Sequence, residues 1–337
     1  MRYEKRTVVP KVKDAVLRYT PERLQKEGEL HLFHLREGAN GFELAEGAEY
    51  LFAVSETATR LFEVPDELFV YEPPLRRFLR PLTEGKDFYA GVDTEPTFVV
   101  SVYVGESRWG YYVCNDREIH YLIGGLSSCE DHGDYFGATA GIWFKERFFF
   151  TFGKRLYYTQ AGVLDYFENY KSNPEGFGYV DLFSSTDGDL MGLFALDGTL
   201  YIFRERGLLE MRVGGDQLNY RAQRLEYGCG RFIANSLVDC GGTACFLTEK
   251  GLFSFDGKSC KLLDDKLMDE IVLEKRPFEA CCVGTTYYAL LMRKNGKRAI
   301  YAYDHLRGKA HWLNVEAESI GGLKSLYVRY DLGVYRL

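Results

Sequence analysis

The amino-acid sequence predicts an all-β protein: a β-propeller of about seven four-stranded blades, with six blades as the alternative. The first observation is composition, because 24 Phe, 25 Tyr and 35 Gly against only 9 Pro favour strands and tight turns over helices. The second is an internal repeat in which apolar strands and polar turns alternate in the same order. The third is the period of that repeat, roughly 40 to 50 residues, which is typical of propeller blades.

The repeat is clearest within residues 191–257. Its first copy places the pair Asp197-Gly198 between two short apolar runs, and an Asp-Gly pair in that position is a strong signal for a hairpin turn. Its second copy consists of the apolar runs 244–247 and 252–255, joined by a polar turn. The same unit is therefore written twice in succession.

Central strands of the successive units are predicted around Tyr50, Tyr111, Phe149, Tyr201, Cys245, Tyr288 and Tyr327. The last unit stops one strand short, at Leu337. An unpaired sheet edge is a liability that proteins avoid by closure or covering. We therefore expect the β-like residues 7–9, or a run close to them, to pair with the C-terminal strand and close the ring.

Two segments interrupt the rhythm of the single domain predicted over residues 1–337. Residues 64–94 hold four of the nine prolines, and proline removes a ladder donor, so this stretch is predicted to be an insert, with a solvated linker as the alternative. Residues 160–189 are predicted to form a polar loop. Because aromatic residues and Arg are enriched at interfaces, the predicted interface residues are Phe69, Tyr71, Arg76, Arg77, Phe78, Arg80, Asp165, Tyr166 and Phe167.

The sequence shows no assembled catalytic motif, so neither an enzymatic activity nor a cofactor is predicted. The six His residues belong to no nucleophile motif, and the phosphate-loop and dinucleotide fingerprints are missing. The pairs His31/His34 and Cys129/His132 have metal-like spacing, but neither has a second pair at zinc-site spacing, so no metal is predicted. The start of the chain does not resemble a secretory signal, so the eight Cys are expected to stay reduced.

Charge and hydropathy restrict the partners. The formal net charge of -7 does not give the basic footprint expected of a nucleic-acid-binding protein. No apolar run approaches the roughly 18 residues that a membrane helix needs, so no membrane partner is predicted.

One passage resembles the propeller proteins of tailed bacteriophages. It comprises residues 155–167, Asn169-Tyr170 and residues 187–193, and the resemblance covers roughly residues 140–260, with a weaker rhythm outside that range. The shared motifs are turn chemistry rather than an active site. The resemblance implies a structural protein of the virion, a tail or head-to-tail adaptor or nozzle that is assembled in the host cytoplasm. The implied partners are copies of itself in a ring and other tail or connector proteins, with genomic DNA passing nearby without sequence-specific binding.

Two other functions stay open at the level of sequence. A carbohydrate-binding or glycoside-hydrolase-like propeller that contacts a receptor would use the abundant Tyr for sugar stacking, and a glycosidase needs only two suitably separated carboxylates. Such a pair cannot be singled out from the sequence. The third is a cellular interaction scaffold, which the fold alone would support.

Overall fold

The computed structural model describes residues 35–38, 41–44, 49–64, 67–80, 88–89, 94–123, 129–130, 137–159, 161–162, 178–214, 220–274, 278–313, 315 and 317–337. Within these ranges the chain forms seven antiparallel sheets arranged as a seven-bladed β-propeller. The predicted fold class and the count of seven blades are confirmed. A separate hairpin, Leu35–Gly38 with Gly41–Leu44, precedes the ring.

Blades are numbered in chain order, and in blades 1 to 6 the strands run outward from the axis in sequence order. Blade 1 contains Leu61–Val64, Glu67–Glu72, Arg77–Leu79 and Phe88–Tyr89. Blade 2 contains Phe98–Val104, Ser107–Cys114, Ile119–Ile123 and Cys129–Glu130. Blade 3 contains Ala140–Phe144, Arg147–Phe152, Arg155–Tyr158 and Gly178–Asp181. Blades 4 and 5 contain Leu190–Leu196, Thr199–Arg204, Gly207–Arg212 and Ala222–Leu225; and Val238–Asp239, Ala244–Thr248, Gly251–Phe255 and Cys260–Asp264.

Blades 6 and 7 depart slightly from this pattern. Blade 6 contains Glu279–Val283, Thr286–Arg293, Arg298–Asp304 and Lys309–Leu313, with Ile271–Val272 extending its innermost strand. Blade 7 contains Ser319–Gly322, Leu326–Tyr330, Gly333–Arg336 and Glu49–Ala53. Helical structure in the described ranges is confined to a short α-helix, Leu267–Glu270, and a 3-10 turn, Pro73–Leu75.

The ring is closed by an N-terminal strand, as predicted, but by a different one. Glu49–Ala53 pairs antiparallel with Gly333–Arg336, whose other edge pairs with Leu326–Tyr330. The prediction that residues 7–9 pair with the C-terminal strand is therefore wrong, because both edges of that strand are occupied. Residues 7–9 themselves lie outside the described ranges. Tyr50, predicted at the centre of a first blade, lies instead in the outermost strand of the last one.

The predicted insert at residues 64–94 is also wrong, because three of the four strands of blade 1 lie there. Pro73 and Pro74 begin the 3-10 turn between two of these strands, where no ladder donor is required. The strand before that turn, Glu67–Glu72, is buried at every position. A strand covered on both faces by neighbouring blades has a nearly continuous apolar sequence, and the prolines beside this strand made it look like part of a loop.

Aromatic side chains fill the spaces between adjacent blades, which explains their abundance. Phe148 of blade 3 stacks on Tyr112 of blade 2 with ring centroids 4.0 Å apart and an interplanar angle of 9°. Phe203 of blade 4 meets Phe246 of blade 5 edge-on at 5.0 Å. All four side chains are fully buried. Since neighbouring blades diverge outward from the axis, large flat side chains suit the wedge between them.

Candidate functional site

A cavity of about 200 Å³ lies where the innermost strands of the seven blades meet. Every blade contributes to its wall, through Phe62, Phe98, Gly141, Gly192, Leu237, Ala280 and Gly321 among others. Most of these positions lie at or just before the beginning of an innermost strand. With four antiparallel strands per blade, all innermost strands begin at the same face of the ring, so the cavity lies towards that face.

The innermost strands of neighbouring blades come so close together at the axis that one position in this wall, Gly141, must be a glycine. A Cβ added to Gly141 would lie 2.7 Å from ring carbons of both Phe98 and Phe148. Such a contact is shorter than packed carbon atoms tolerate. Gly141 therefore allows blade 3 to approach blade 2 beside the cavity.

One side of the cavity is polar and joins three blades. The Ser319 hydroxyl of blade 7 donates to Oε2 of Glu279 in blade 6 at 2.5 Å, and the backbone N–H of Ile320 donates to the same oxygen at 3.1 Å. The backbone N–H of Leu61 in blade 1 donates to Ser319 Oγ at 2.8 Å. Glu279 and Ser319 are both buried. These bonds satisfy one Glu279 oxygen and fix the relative positions of blades 6, 7 and 1.

Arg60 enters the same wall just before the first strand of blade 1 and is only 7% exposed. Its Nη2 donates to the carbonyl oxygen of Phe278 at 3.1 Å, and its guanidinium carbon lies 5.1 Å from the centroid of the Phe62 ring. Its Nε and Nη1 are buried and have no hydrogen-bond partner in the structure as described. A buried charge with two unsatisfied donors is costly unless something completes it.

Glu63 is the second acid of the wall. It accepts the backbone N–H of Gly322 at 2.5 Å. Loss of solvent raises the pKa of Glu63 to about 8, against the opposing effect of the Gly322 hydrogen bond. The side chain is therefore mainly a neutral carboxylic acid at pH 7, able to donate a hydrogen bond as well as accept one.

The raised pKa of Glu63 predicts a pH-dependent stability. The folded protein holds this proton up to about pH 8, whereas an unfolded chain releases it near 4.5. The free energy of unfolding should therefore fall as pH rises from about 4.5 to 8. Glu63→Gln keeps an acceptor for Gly322 and does not ionise, so its urea-unfolding midpoint should change less between pH 5 and pH 8 than that of the wild type. Parallel pH dependences of the two proteins would contradict this assignment.

The structure divides the predicted interface residues into four groups. Phe69, Tyr71 and Phe78 are fully buried against blade 2, so their prediction as interface side chains is wrong. Arg77 Nε binds Glu72 Oε2 at 2.6 Å, and Arg80 forms an ion pair with Glu67 inside the blade 1–blade 2 contact. Arg76 is exposed beside the 3-10 turn. Asp165, Tyr166 and Phe167 lie outside the described ranges.

Exposed aromatic residues lie on blade 3, and two of the three belong to residues 160–189, the predicted polar loop. Phe152, Tyr179 and Phe183 are 39%, 41% and 76% exposed. The Arg155 guanidinium carbon lies 4.6 Å from the centroid of the Tyr179 ring, and Lys154 Nζ lies 5.8 Å from that of Phe183. These five residues are called the blade 3 patch below. The signal that could have shown it is Gly178–Asp181, a short strand hidden inside the presumed loop.

Asp187, in the described part of the passage that resembles phage propellers, lies at the junction between blades 3 and 4. Asp187 is 6% exposed, and its Oδ1 accepts Arg224 Nη2 at 3.0 Å. Its backbone N–H donates to Ser184 Oγ at 3.0 Å, and its carbonyl accepts the N–H of Arg206 at 2.9 Å. The motif is therefore turn chemistry, as the sequence indicated.

The other candidate sites named from the sequence gain nothing from the structure. Within the described ranges, no group of three or more His, Cys, Asp and Glu is arranged to hold a metal ion. His31, His34 and His132 lie outside those ranges, and the side chain of Cys129 is not described. The seven described cysteines are free thiols.

A search of the described chain for membrane-crossing helices found none of sufficient length and hydropathy.

Comparison with known proteins supports the fold. No protein-family model matches the chain, and no curated protein sequence matches it. PorZ of Porphyromonas gingivalis, an essential bacterial surface component of the type-IX secretion system, superimposes with a TM-score of 0.52 at 14% identity, over 85% of this chain and 37% of PorZ. The extracellular domain of BT4673 from B. thetaiotaomicron, a putative hybrid two-component system, gives a TM-score of 0.55 at 11% identity, over 86% and 39%.

The chain spans less than two fifths of the length of each of these structures. At this level of identity, similarity establishes the architecture and not the activity. The protein is thus a β-propeller whose structural neighbours include bacterial surface and extracellular proteins.

Proposed function

We propose that this propeller is a non-catalytic assembly module of a tailed-phage virion, located in the tail or at the head-to-tail junction. The observation that carries the proposal is the resemblance of residues 155–167 and 187–193 to phage propeller proteins. The described part of that passage has a structural task, since Asp187 fixes the junction of blades 3 and 4. A motif that builds a junction is consistent with a protein that works through its shape and contacts.

The blade 3 patch is the proposed contact with a neighbouring copy in a ring. It overlaps the predicted polar loop at residues 160–189, which also contains predicted interface residues, because Tyr179 and Phe183 belong to that stretch. Gly178–Asp181 is the outermost strand of its blade and has a free sheet edge within the described chain. Exposed aromatic rings beside Arg and Lys are the composition that interface centres favour.

The charge balance suits a ring around DNA that does not hold the duplex. Duplex DNA carries one negative charge per roughly 1.7 Å of axis, and a basic lumen would bind it. A chain of net charge -7 would instead let DNA pass, with repulsion screened over about 8 Å at physiological salt.

The contact is tested with the double variant Tyr179→Ser/Phe183→Ser. Both side chains are exposed, so the variant should fold normally but fail to enter particles, because the apolar contact area is lost. Leu306→Ser is the matched control, since Leu306 is 78% exposed on blade 6. The measurement is the amount of this chain in purified virions, together with oligomer mass in solution. Normal incorporation of the double variant would exclude the patch, and virions that lack the chain would overturn the virion proposal.

A ligand- or receptor-binding propeller at a cell or virion surface is the second candidate. Arg60, buried in the axial cavity with two unpaired nitrogens, favours it. The surface and extracellular settings of PorZ and BT4673 agree with it. Cell fractionation distinguishes the two, because a cell-surface protein would be found with envelopes in cells that produce no phage.

A further inference from the structure

The axial cavity contains an incomplete polar site. Arg60 is more than nine-tenths buried, lines the cavity, and leaves Nε and Nη1 without a partner in the described structure. Its third nitrogen is held by the Phe278 carbonyl, and its guanidinium stacks on Phe62. These two contacts fix the direction of the guanidinium, so its free donors are positioned in advance.

Arg60 cannot reduce the cost of its burial by losing a proton. A guanidinium stays charged in proteins, so burial cannot be relieved by neutralising it. An unpaired buried charge is strongly destabilising and is normally compensated by a counter-charge. Glu279, the nearby acid, already has one oxygen occupied by Ser319 and Ile320. Because Arg60 lines the axial cavity, a counter-charge bound there would lie beside its guanidinium.

The chemistry of the wall selects the kind of anion. Glu279 lines the same cavity, and its carboxyl group disfavours a dianion such as phosphate or sulfate. A singly charged carboxylate would pair with Arg60 and accept a hydrogen bond from the protonated carboxyl group of Glu63. Phe98, Leu193 and Leu237 provide an apolar part of the wall.

The volume of the axial cavity limits the size of the ligand. The cavity measures about 200 Å³, and roughly 150 Å³ is enough for a benzene ring. We propose that the axial cavity binds a small organic monocarboxylate whose carboxylate pairs with Arg60 and whose apolar portion lies against Phe98 and Leu237. This site is independent of the assembly function proposed for the outer surface.

Benzoate is the probe, with benzamide as its uncharged counterpart. Isothermal titration of the full chain should show saturable binding of one benzoate per chain and at least tenfold weaker binding of benzamide. Arg60→Met should weaken benzoate binding at least tenfold, because one charge-assisted contact of this kind corresponds to about a tenfold effect or more. Arg76→Met is the matched control in the same blade and should bind benzoate like the wild type, since Arg76 is exposed on the turn after Pro73–Leu75.

A second readout separates a binding role from a structural one. Without ligand, Arg60→Met should melt no lower than the wild type, because the unpaired buried charge is removed together with its single backbone contact. A crystal soaked with 4-bromobenzoate should show anomalous density in the cavity beside Arg60, and this measurement needs no variant. Density only elsewhere, benzoate affinity unchanged in Arg60→Met, or binding of phosphate in place of benzoate would each overturn the proposal.

Discussion

A chain that begins at residue 54 is expected to lose the closure of its ring and most of its stability. It lacks Glu49–Ala53, the fourth strand of blade 7, and so exposes the edge of Gly333–Arg336. The side chain of Val334, fully buried in the closed ring, would lose part of its cover. Removing one buried aliphatic side chain costs about 2–5 kcal/mol. The shortened chain loses Leu51, which packs against the same cluster, and the ladder hydrogen bonds of its strand add to the loss. The unfolding midpoint in urea should fall sharply, with aggregation through the free edge.

The matched control begins at residue 45. It removes nearly the same upstream segment but keeps the closing strand, so its unfolding midpoint should stay above that of the chain beginning at residue 54. Equal midpoints would show that the pairing of Glu49–Ala53 with Gly333–Arg336 contributes little to stability. Circular dichroism in urea, with light scattering to detect aggregation, provides the measurement.

The fold was predictable because its signals are local. Asp197-Gly198 has φ angles of 48° and 80° and joins Leu196 to Thr199 in a two-residue hairpin turn. That is the conformation an Asp-Gly pair favours between two apolar runs. Such turns recur with each blade, so period and composition together specify the architecture.

The incorrect predictions concern the closing strand and the presumed insert, and both depend on contacts between residues far apart in the sequence. Residues 7–9 and 49–53 are both β-like, and only the three-dimensional register shows that Tyr50 lies opposite Tyr335. The prolines near blade 1 indicated a loop, but proline costs a sheet nothing where the chain turns, as at Pro73. Local propensity does not distinguish a turn within a blade from an inserted loop.

The axial site was beyond the reach of sequence reasoning for the same reason. Arg60, Glu279 and Ser319 are more than 250 residues apart at their extremes and meet only because the ring closes. Nothing near Arg60 in the sequence marks it as buried, since it follows a short polar connection that includes the exposed residues 55–57. The blade 3 patch was partly predictable, because its loop was identified but its exposed aromatic residues were not.

The second large effect is expected at the contact between blades 1 and 2. Glu67 is 6% exposed, and its carboxylate accepts the hydroxyl of Tyr111 and pairs with Arg80. Arg108 Nη1 lies 3.1 Å from its Oε2. One buried carboxylate thus compensates two guanidinium groups from two blades. Arg80, predicted from the sequence as an interface residue, instead pairs with Glu67 inside the fold and has a structural role.

Glu67→Gln removes this negative charge while keeping the size of the side chain. It should lower the free energy of unfolding by about 3–5 kcal/mol, because the two guanidinium groups are left facing each other in a partly buried contact. Tyr111→Phe should cost only about 1 kcal/mol, the value of a single hydrogen bond. Asp181→Asn breaks the exposed pair with Arg155, 2.6 Å long, and should leave the unfolding midpoint nearly unchanged. If Glu67→Gln and Asp181→Asn have similar urea-unfolding midpoints, the contact between blades 1 and 2 is stabilised by aromatic packing and the buried charges contribute little to it.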